Sequence, residues 1–229
     1  MLEIFGYIGA ALMGLSLGLI GGGGSILTVP ILVFLFGLPA EIATAYSLFT
    51  VGLTSLVGSL SHIRLGNIHW RTALVFGVPA IITVFATRRF VMPAIPHVLF
   101  RLGDFDFTKD IFLLLVFAVL MVLAAGSMIR QRQLRPSNEV GQFPYFLILA
   151  EGLVVGCVTG LVGAGGGFLI IPALVILAKL PMKQAVGTSL IIIAAKSLIG
   201  FLGDVHADLA VDWVFLLTFS AIAILGIIA

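Results

Sequence analysis

Seven apolar stretches divide the chain, at residues 4–36, 40–61, 72–92, 111–130, 144–178, 184–203 and 213–229. Polar residues gather between them and do not alternate with apolar ones inside them. Runs near twenty residues can cross a hydrocarbon core of about 30 Å as helices. A helix also satisfies its own backbone groups, as the bilayer requires. The lack of two-residue alternation argues against a membrane β-barrel. The pattern predicts an all-α membrane protein with about seven transmembrane segments.

Two of the runs are too long for one crossing. At 1.5 Å per residue, 4–36 and 144–178 would each make a rod of roughly 50 Å. Each holds a glycine cluster near its middle and a proline soon after it. In "GLIGGGGSILTVP" these are Gly21, Gly22, Gly23 and Gly24, then Ser25 and Pro30; in "GLVGAGGGFLIIP" they are Gly163, Gly165, Gly166 and Gly167, then Pro172. Glycine costs about 1 kcal/mol per helical position relative to alanine, so a cluster marks a break. Each stretch is therefore expected to form two half-helices around an irregular turn, either re-entrant or a broken crossing.

The two glycine stretches repeat one design. A shift of 142 residues places Gly18, Gly21, Gly23, Gly24 and Pro30 on Gly160, Gly163, Gly165, Gly166 and Pro172 without a gap. Leu38 and Pro39 then meet Leu180 and Pro181, Ser47 and Leu48 meet Ser189 and Leu190, and Ser55 and Gly58 meet Ser197 and Gly200. Interrupted hydrophobic segments at matching positions of two halves point to a transporter's binding site. The expected organisation is a first transmembrane repeat at 1–130, a basic polar linker at 131–143 and a second repeat at 144–229. Lysines and arginines in the loops do not decide the orientation. Re-entrant glycine segments would leave three true crossings per repeat and invert the second, which is the arrangement favoured here.

Composition agrees with lipid as the solvent. Of 229 residues, 61% are hydrophobic and 10% charged, too apolar for a soluble domain of this size. A net charge of +2 and the lack of a basic cluster give no nucleic-acid footprint. The single cysteine, Cys157, excludes an internal disulfide and is read as a packing residue. "MLEIFGYIGA" lacks the positive start of a cleaved signal peptide and is read as part of the mature chain. "GGGGS" lacks the Gly-Lys-Ser/Thr ending of a phosphate-binding loop, so no nucleotide is expected. Neither a cofactor nor a metal is called for.

Among the charged residues, Glu151 and Lys196 stand inside apolar spans, while the others are expected in loops or at span edges, Arg88 and Lys109 included. A charge at the bilayer centre costs at least about 2.5–3.5 kcal/mol and usually faces a polar cavity. Thr188, Ile192 and Lys196 share a helix face at i, i+4, i+8, with Ser189 beside them. Tyr46, Thr50 and Thr54 repeat that spacing in the first half, with Ser47 beside them. Two facing polar stripes with one cation suit an oxyanion; the alternative is a lysine snorkelling to an interface. A glycine turn that opens a half-helix adds unpaired N–H groups and a positive dipole end. Close packing of small residues is the competing explanation for the glycines. Glu151 could pair with Lys196 or an arginine, carry a proton, or sit near the interface. His62, which aligns with Asp204, and the nearby His206 and Asp208 could relay protons or belong to a solvated loop.

With its paired glycine elements, Leu-Pro turns and "VGTSL" at 186–190, the chain resembles the sulfite exporter TauE/SafE family over essentially its whole length. The resemblance implies a multi-pass permease of the bacterial inner membrane for sulfur-containing anions such as sulfite or organosulfonates. It also implies seven or eight spans. An equivalent of 111–130 in the second repeat would fall beyond Ala229, so the last span is expected to be missing. The expected mechanism is alternating access around a mid-membrane anion site. The rivals are a channel-like conduit for other small anions and a membrane-embedded enzyme; no nucleophile–base–acid set within the spans supports the enzyme. A small anion and lipid are the expected partners, with a homo-oligomer left open.

Overall fold

A computed structural model describes residues 2–102, 105–131, 145–176, 178–205 and 211–228. Nearly all of the linker expected at 131–143, together with His206 and Asp208, lies outside the described residues. The elements in order are α1 (Leu2–Ile20), α2 (Ser25–Pro30), a π-helical turn (Ile31–Leu35), α3 (Ala40–Arg64) and α4 (Trp70–Ala86). A second π-helical turn (Thr87–Val91), α5 (Met92–Ala94), β1 (Val98–Leu102) and β2 (Phe105–Thr108) follow. The chain then forms α6 (Lys109–Gln131), α7 (Tyr145–Val162), α8 (Gly167–Ile176), α9 (Met182–Val205) and α10 (Trp213–Ile228). Four described helices are long and apolar enough to cross a membrane: Glu3–Ile20, Ala40–Arg64, Trp70–Ala94 and Met182–Val205. Shorter apolar helices accompany them, at Ser25–Leu35, Phe146–Val162, Gly167–Ile176 and Trp213–Ile228.

Both long apolar runs break where their glycines stand. α1 ends at Gly21 and α7 at Gly163, each with a positive φ, 75° and 72°. A residue with a Cβ pays about 1–2 kcal/mol for that left-handed conformation, and glycine does not. Each glycine closes its helix with one bond to the carbonyl four residues back: Gly21 N–H to Leu17 O at 2.7 Å, Gly163 N–H to Thr159 O at 2.8 Å. This is the left-handed C-terminal cap. Past the prolines, Leu38 N–H reaches Leu32 O and Leu180 N–H reaches Leu174 O, both at 3.1 Å. Ala43 N–H to Pro39 O and Ala185 N–H to Pro181 O follow, both at 2.9 Å. Every one of these pairs differs by the same 142 positions.

α3 and α9 form the centre. About 67% and 72% of their apolar windows are buried inside the protein, against 28% for α1 and 33% for the helix at 70–94, so the latter two take the periphery. The central pair runs antiparallel: the Phe49 and Phe201 rings meet at 5.0 Å, Gly52 faces Leu198, and Gly58 faces Leu190. Thr54 and Lys196 stand near the middle of that crossing.

Small residues let the outer helices approach closely. Gly152, Gly156 and Gly160 of α7 lie one turn apart against α4 and the π-helical turn that follows it, where added Cβ atoms would come within 2.5 Å of Phe76 O, 2.6 Å of Ala80 O and 2.7 Å of Thr87 Cβ. Gly14 meets Ala223 O of α10, and Gly226 of α10 meets Ala11 O of α1. Close approach of small residues thus holds these seams, outside the two glycine clusters.

Among the described residues, the one departure from all-α structure is the antiparallel β1–β2 pair, where Phe100 and Phe107 stack at 4.6 Å. Three of its nine strand residues are phenylalanine, which favours extended backbone.

Gly156→Val should force α4 and α7 apart and lower the unfolding temperature in detergent, at an overpacking cost of about 1–3 kcal/mol. Gly126→Val, with nothing within 4 Å of the added Cβ, should leave it nearly unchanged. Equal melting of both variants would refute the close-packed seam.

Candidate functional site

The two breaks meet. A Cβ on Gly22 would lie 2.5 Å from the carbonyl carbon of Gly167, and one on Gly167 would strike Gly22 Cα. Each break also seats on the opposite central helix. Gly21 lies against Val186 of α9, and Gly163 against the main chain of Thr44 of α3, two positions again 142 apart. Ser189 Oγ donates to Gly21 O at 3.1 Å and to Val186 O at 2.8 Å, tying α9 to the first break. Ser25 Oγ donates to Gly22 O at 2.7 Å. Gly165 faces Val51 Cγ1 and Ser25 Cβ. Gly23 and Gly24 turn elsewhere: Gly24 packs on Met13 O and Ser16 of α1, and Gly23 borders a cavity of about 110 Å³ with Ile20, Phe168 and Pro172.

Lys196 belongs to this meeting point. Its side chain is completely buried. Nζ donates to Thr159 Oγ1 at 2.9 Å, and Thr159 donates in turn to Val155 O at 2.5 Å. A Cβ on Gly166 would lie 2.8 Å from Nζ, so the ammonium sits directly on the second break. The described ion pairs are Arg88–Asp204, Arg101–Asp106 and Lys109–Glu41, and none involves Lys196. Buried rather than snorkelling, this cation has one neutral hydrogen-bond partner among the described residues. Such a group carries a desolvation penalty that an anion would offset.

The hydroxyls of the α3 stripe make no described hydrogen bond to Lys196. Thr50 Oγ1 meets Ser220 Oγ of α10 at 3.0 Å, Tyr46 OH accepts from Asp212 N–H at 2.6 Å, and Thr54 Oγ1 donates back to Thr50 O. Thr188 Oγ1 accepts from His69 N–H at 3.0 Å. A local carbonyl, a hydroxyl on a distant helix and two distant backbone N–H groups engage these hydroxyls, which helical spacing alone does not reveal. Ser189 bonds the first break instead. Ser47, Val51 and Ser55 share one face of α3, and Val51 abuts Gly165; Ser189, Ile193 and Ser197 share one face of α9, and Ile193 abuts Gly167. Ser47, Ser55 and Ser197 are fully buried, and their Oγ atoms have no hydrogen-bond partner among the described residues. Thr28 Oγ1 on α2 is in the same condition. Buried hydroxyls without partners mark places where a solute or water completes the bonding.

The charged candidates separate. Glu151 is half-buried on α7, its Oε2 without a hydrogen-bond partner, and it makes no described ion pair with Lys196 or an arginine. His62 packs against Gly187 with Nδ1 buried and unpartnered, at the opposite end of the central pair from Asp204. Among the described residues, no three His, Cys, Asp or Glu side chains gather to hold a metal ion.

Two expectations need correcting. Arg88 is not in a loop: it is completely buried in the second π-helical turn, with Nη1 at 3.2 Å from Asp204 Oδ2 and 3.1 Å from Thr44 Oγ1. The signal was its position inside the apolar run 72–92. Lys109 is buried as well, and donates to Glu41 Oε1 and Met92 O, both at 2.7 Å. A carboxylate brought near by the fold makes each burial affordable.

Gly37 isolates backbone strain, because its φ is 68° with nothing within 4 Å of an added Cβ. Gly37→Ala should cost about 1–2 kcal/mol. Gly163→Ala carries the same strain and a collision with Thr44, so its loss of thermal stability should be clearly larger. Similar losses would mean that the break is not seated on α3.

Comparison with known proteins agrees with this architecture. The family model described as sulfite exporter TauE/SafE matches residues 7–229. A probable membrane transporter protein of Xylella fastidiosa is 32% identical over 219 residues, covering 94% of this chain and 78% of the relative. One from Methanocaldococcus jannaschii is 28% identical, covering 91% and 73%, and one from Bacillus subtilis is 28% identical, covering 87% and 76%. No solved structure matches. With the family model spanning nearly the whole chain and these relatives all named as membrane transporters, the chain belongs to the sulfite exporter TauE/SafE family and is a multi-pass membrane transporter protein.

Proposed function

We propose that the chain carries small sulfur-containing oxyanions, such as sulfite or organosulfonates, across a bacterial inner membrane by alternating access. The observation that carries this reading is Lys196, a fully buried ammonium without a carboxylate partner among the described residues, set against Gly166 where the two helix breaks meet. An oxyanion there supplies the missing countercharge, and the buried Ser55 and Ser197, near the level of Lys196 in the α3–α9 crossing, are the candidates to donate to its oxygens. The family description supports the sulfur chemistry.

The proposed frame is seven spans in two repeats, 1–130 and 144–229, joined by the basic linker 131–143. Supporting it are the equal caps at Gly21 and Gly163 and the reciprocal seating of each break on the other half's central helix. Reciprocal seating makes rocking of one half against the other move both breaks at once, as alternating access needs. Of the coupling-proton candidates Glu151, His62 and Asp204, the first two each present a buried atom without a hydrogen-bond partner among the described residues, while Asp204 is held by Arg88.

Proteoliposome flux across sulfite, thiosulfate, sulfonates and carboxylates tests the substrate class. Sulfite or sulfonate should show saturable flux with counterflow. Lys196→Gln should weaken sulfite binding by about 30-fold or more, since losing one partner of a buried charge pair costs roughly 2–5 kcal/mol, while the protein still assembles. Lys196→Arg should rescue only in part, because a planar fork does not replace a compact ammonium. Wild-type flux and affinity in Lys196→Gln would remove Lys196 from the site.

A further inference from the structure

Arg88 poses a question that its ion pair does not answer. Its guanidinium is completely buried, yet only Nη1 is used, by Thr44 Oγ1 at 3.1 Å and Asp204 at 3.2–3.4 Å. Nε and Nη2 have no hydrogen-bond partner among the described residues. Those two nitrogens form the side edge of the guanidinium, whose parallel N–H bonds match two oxygens of an oxyanion. A carboxylate in command of the arginine would occupy that edge. Asp204 instead touches one nitrogen, at distances longer than the 2.7–2.9 Å or so usual for a charge-assisted bond. The neighbouring Lys109 is already engaged by Glu41. Buried donors left open in a folded protein point to a group that completes them.

The position fits a transport path. Thr44, which accepts from Nη1, has its main chain packed into Gly163 of the second break. Gly203 of α9 packs on Arg88 Cβ, seven residues from Lys196 and therefore about 10 Å away along the helix axis. Two buried cations thus flank one break, Arg88 beyond Gly163 and Lys196 beside Gly166.

We propose that Arg88 is a second oxyanion-binding station, where the open Nε–Nη2 edge takes a sulfur oxyanion by two parallel hydrogen bonds. Asp204 holds only Nη1, so its carboxylate repels an anion on the adjacent edge, and the solute's arrival weakens the contact that joins the end of the α4 segment to α9. This inference rests on the reading of the chain as an oxyanion carrier, but on a different residue from the central site.

Equilibrium binding of radiolabelled sulfite to the purified protein in lipid-free detergent tests it. Wild type should bind two sulfites per chain. Arg88→Lys keeps the charge and the pairing with Asp204 but loses the fork; one site should weaken about tenfold or more, with the Lys196 site intact. Asp204→Asn keeps the fork and removes the repelling charge, so the Arg88 site should tighten. A purely structural ion pair predicts the reverse, with unchanged stoichiometry and affinity in Arg88→Lys and no tightening in Asp204→Asn, and that pair of results would overturn the proposal. If Arg88→Lys does not fold, Asp204→Asn alone decides by the direction of its change. Added phosphatidylglycerol should leave sulfite at this site; displacement by the lipid would assign the fork to a headgroup and overturn a solute station. Loss of one site in Arg88→Lys with both retained in Lys196→Gln would sink the central reading and leave this one standing.

Discussion

The rest of the structure depends on the contact between two pieces of irregular backbone, Gly22 against Gly167. In hydrocarbon, an N–H or C=O without a partner costs several kcal/mol, so non-helical backbone survives only when buried in protein or lining a polar cavity. Two breaks pressed together and enclosed by α3 and α9 meet that condition. The seams of α7 on α4 and of α1 on α10 keep the outer helices close enough to enclose them. Hydroxyls at the breaks complete the arrangement, with Ser25 and Ser189 bonding the carbonyls of Gly22 and Gly21.

The same enclosure gives charge its leverage. A lysine exposed to water interacts weakly with an anion, but one excluded from water and lacking a carboxylate partner attracts it strongly. Lys196 has that character beside the second break; Arg88 has it in part, with one nitrogen engaged and an edge open. The first half carries no cation at the position equivalent to Lys196, because Thr54 stands there and bonds back to its own helix. The electrostatics are therefore one-sided although the caps and seatings repeat.

Much of the frame was legible in the sequence. Apolar run lengths marked the helices, and glycine clusters followed by proline marked both breaks, since those residues act on the backbone locally. Lys196 could be singled out because a charge deep in an apolar run needs a reason. What helical spacing could not reveal was which neighbour each polar side chain would choose. Thr50 turns to Ser220 across 170 positions, and Tyr46 to the Asp212 backbone across 166. Arg88 was misplaced because a run's end was taken as its edge, and the distant Asp204 that pairs with it is brought close only by the fold. The β1–β2 pair was missed because its strands are too short to stand out beside long apolar runs.

The central claim is that the meeting point of the breaks holds the transported anion. Selenite is the heavier analogue of sulfite and scatters X-rays anomalously. Crystals of the protein grown with selenite and measured at the selenium edge locate the anion without prior assumption about its site. A selenium peak within hydrogen-bonding reach of Lys196 Nζ, between Gly22 and Gly166, is the expected result. Selenite-competent protein whose crystals show a peak only outside the α3–α9 pair, with nothing near Lys196, would contradict it.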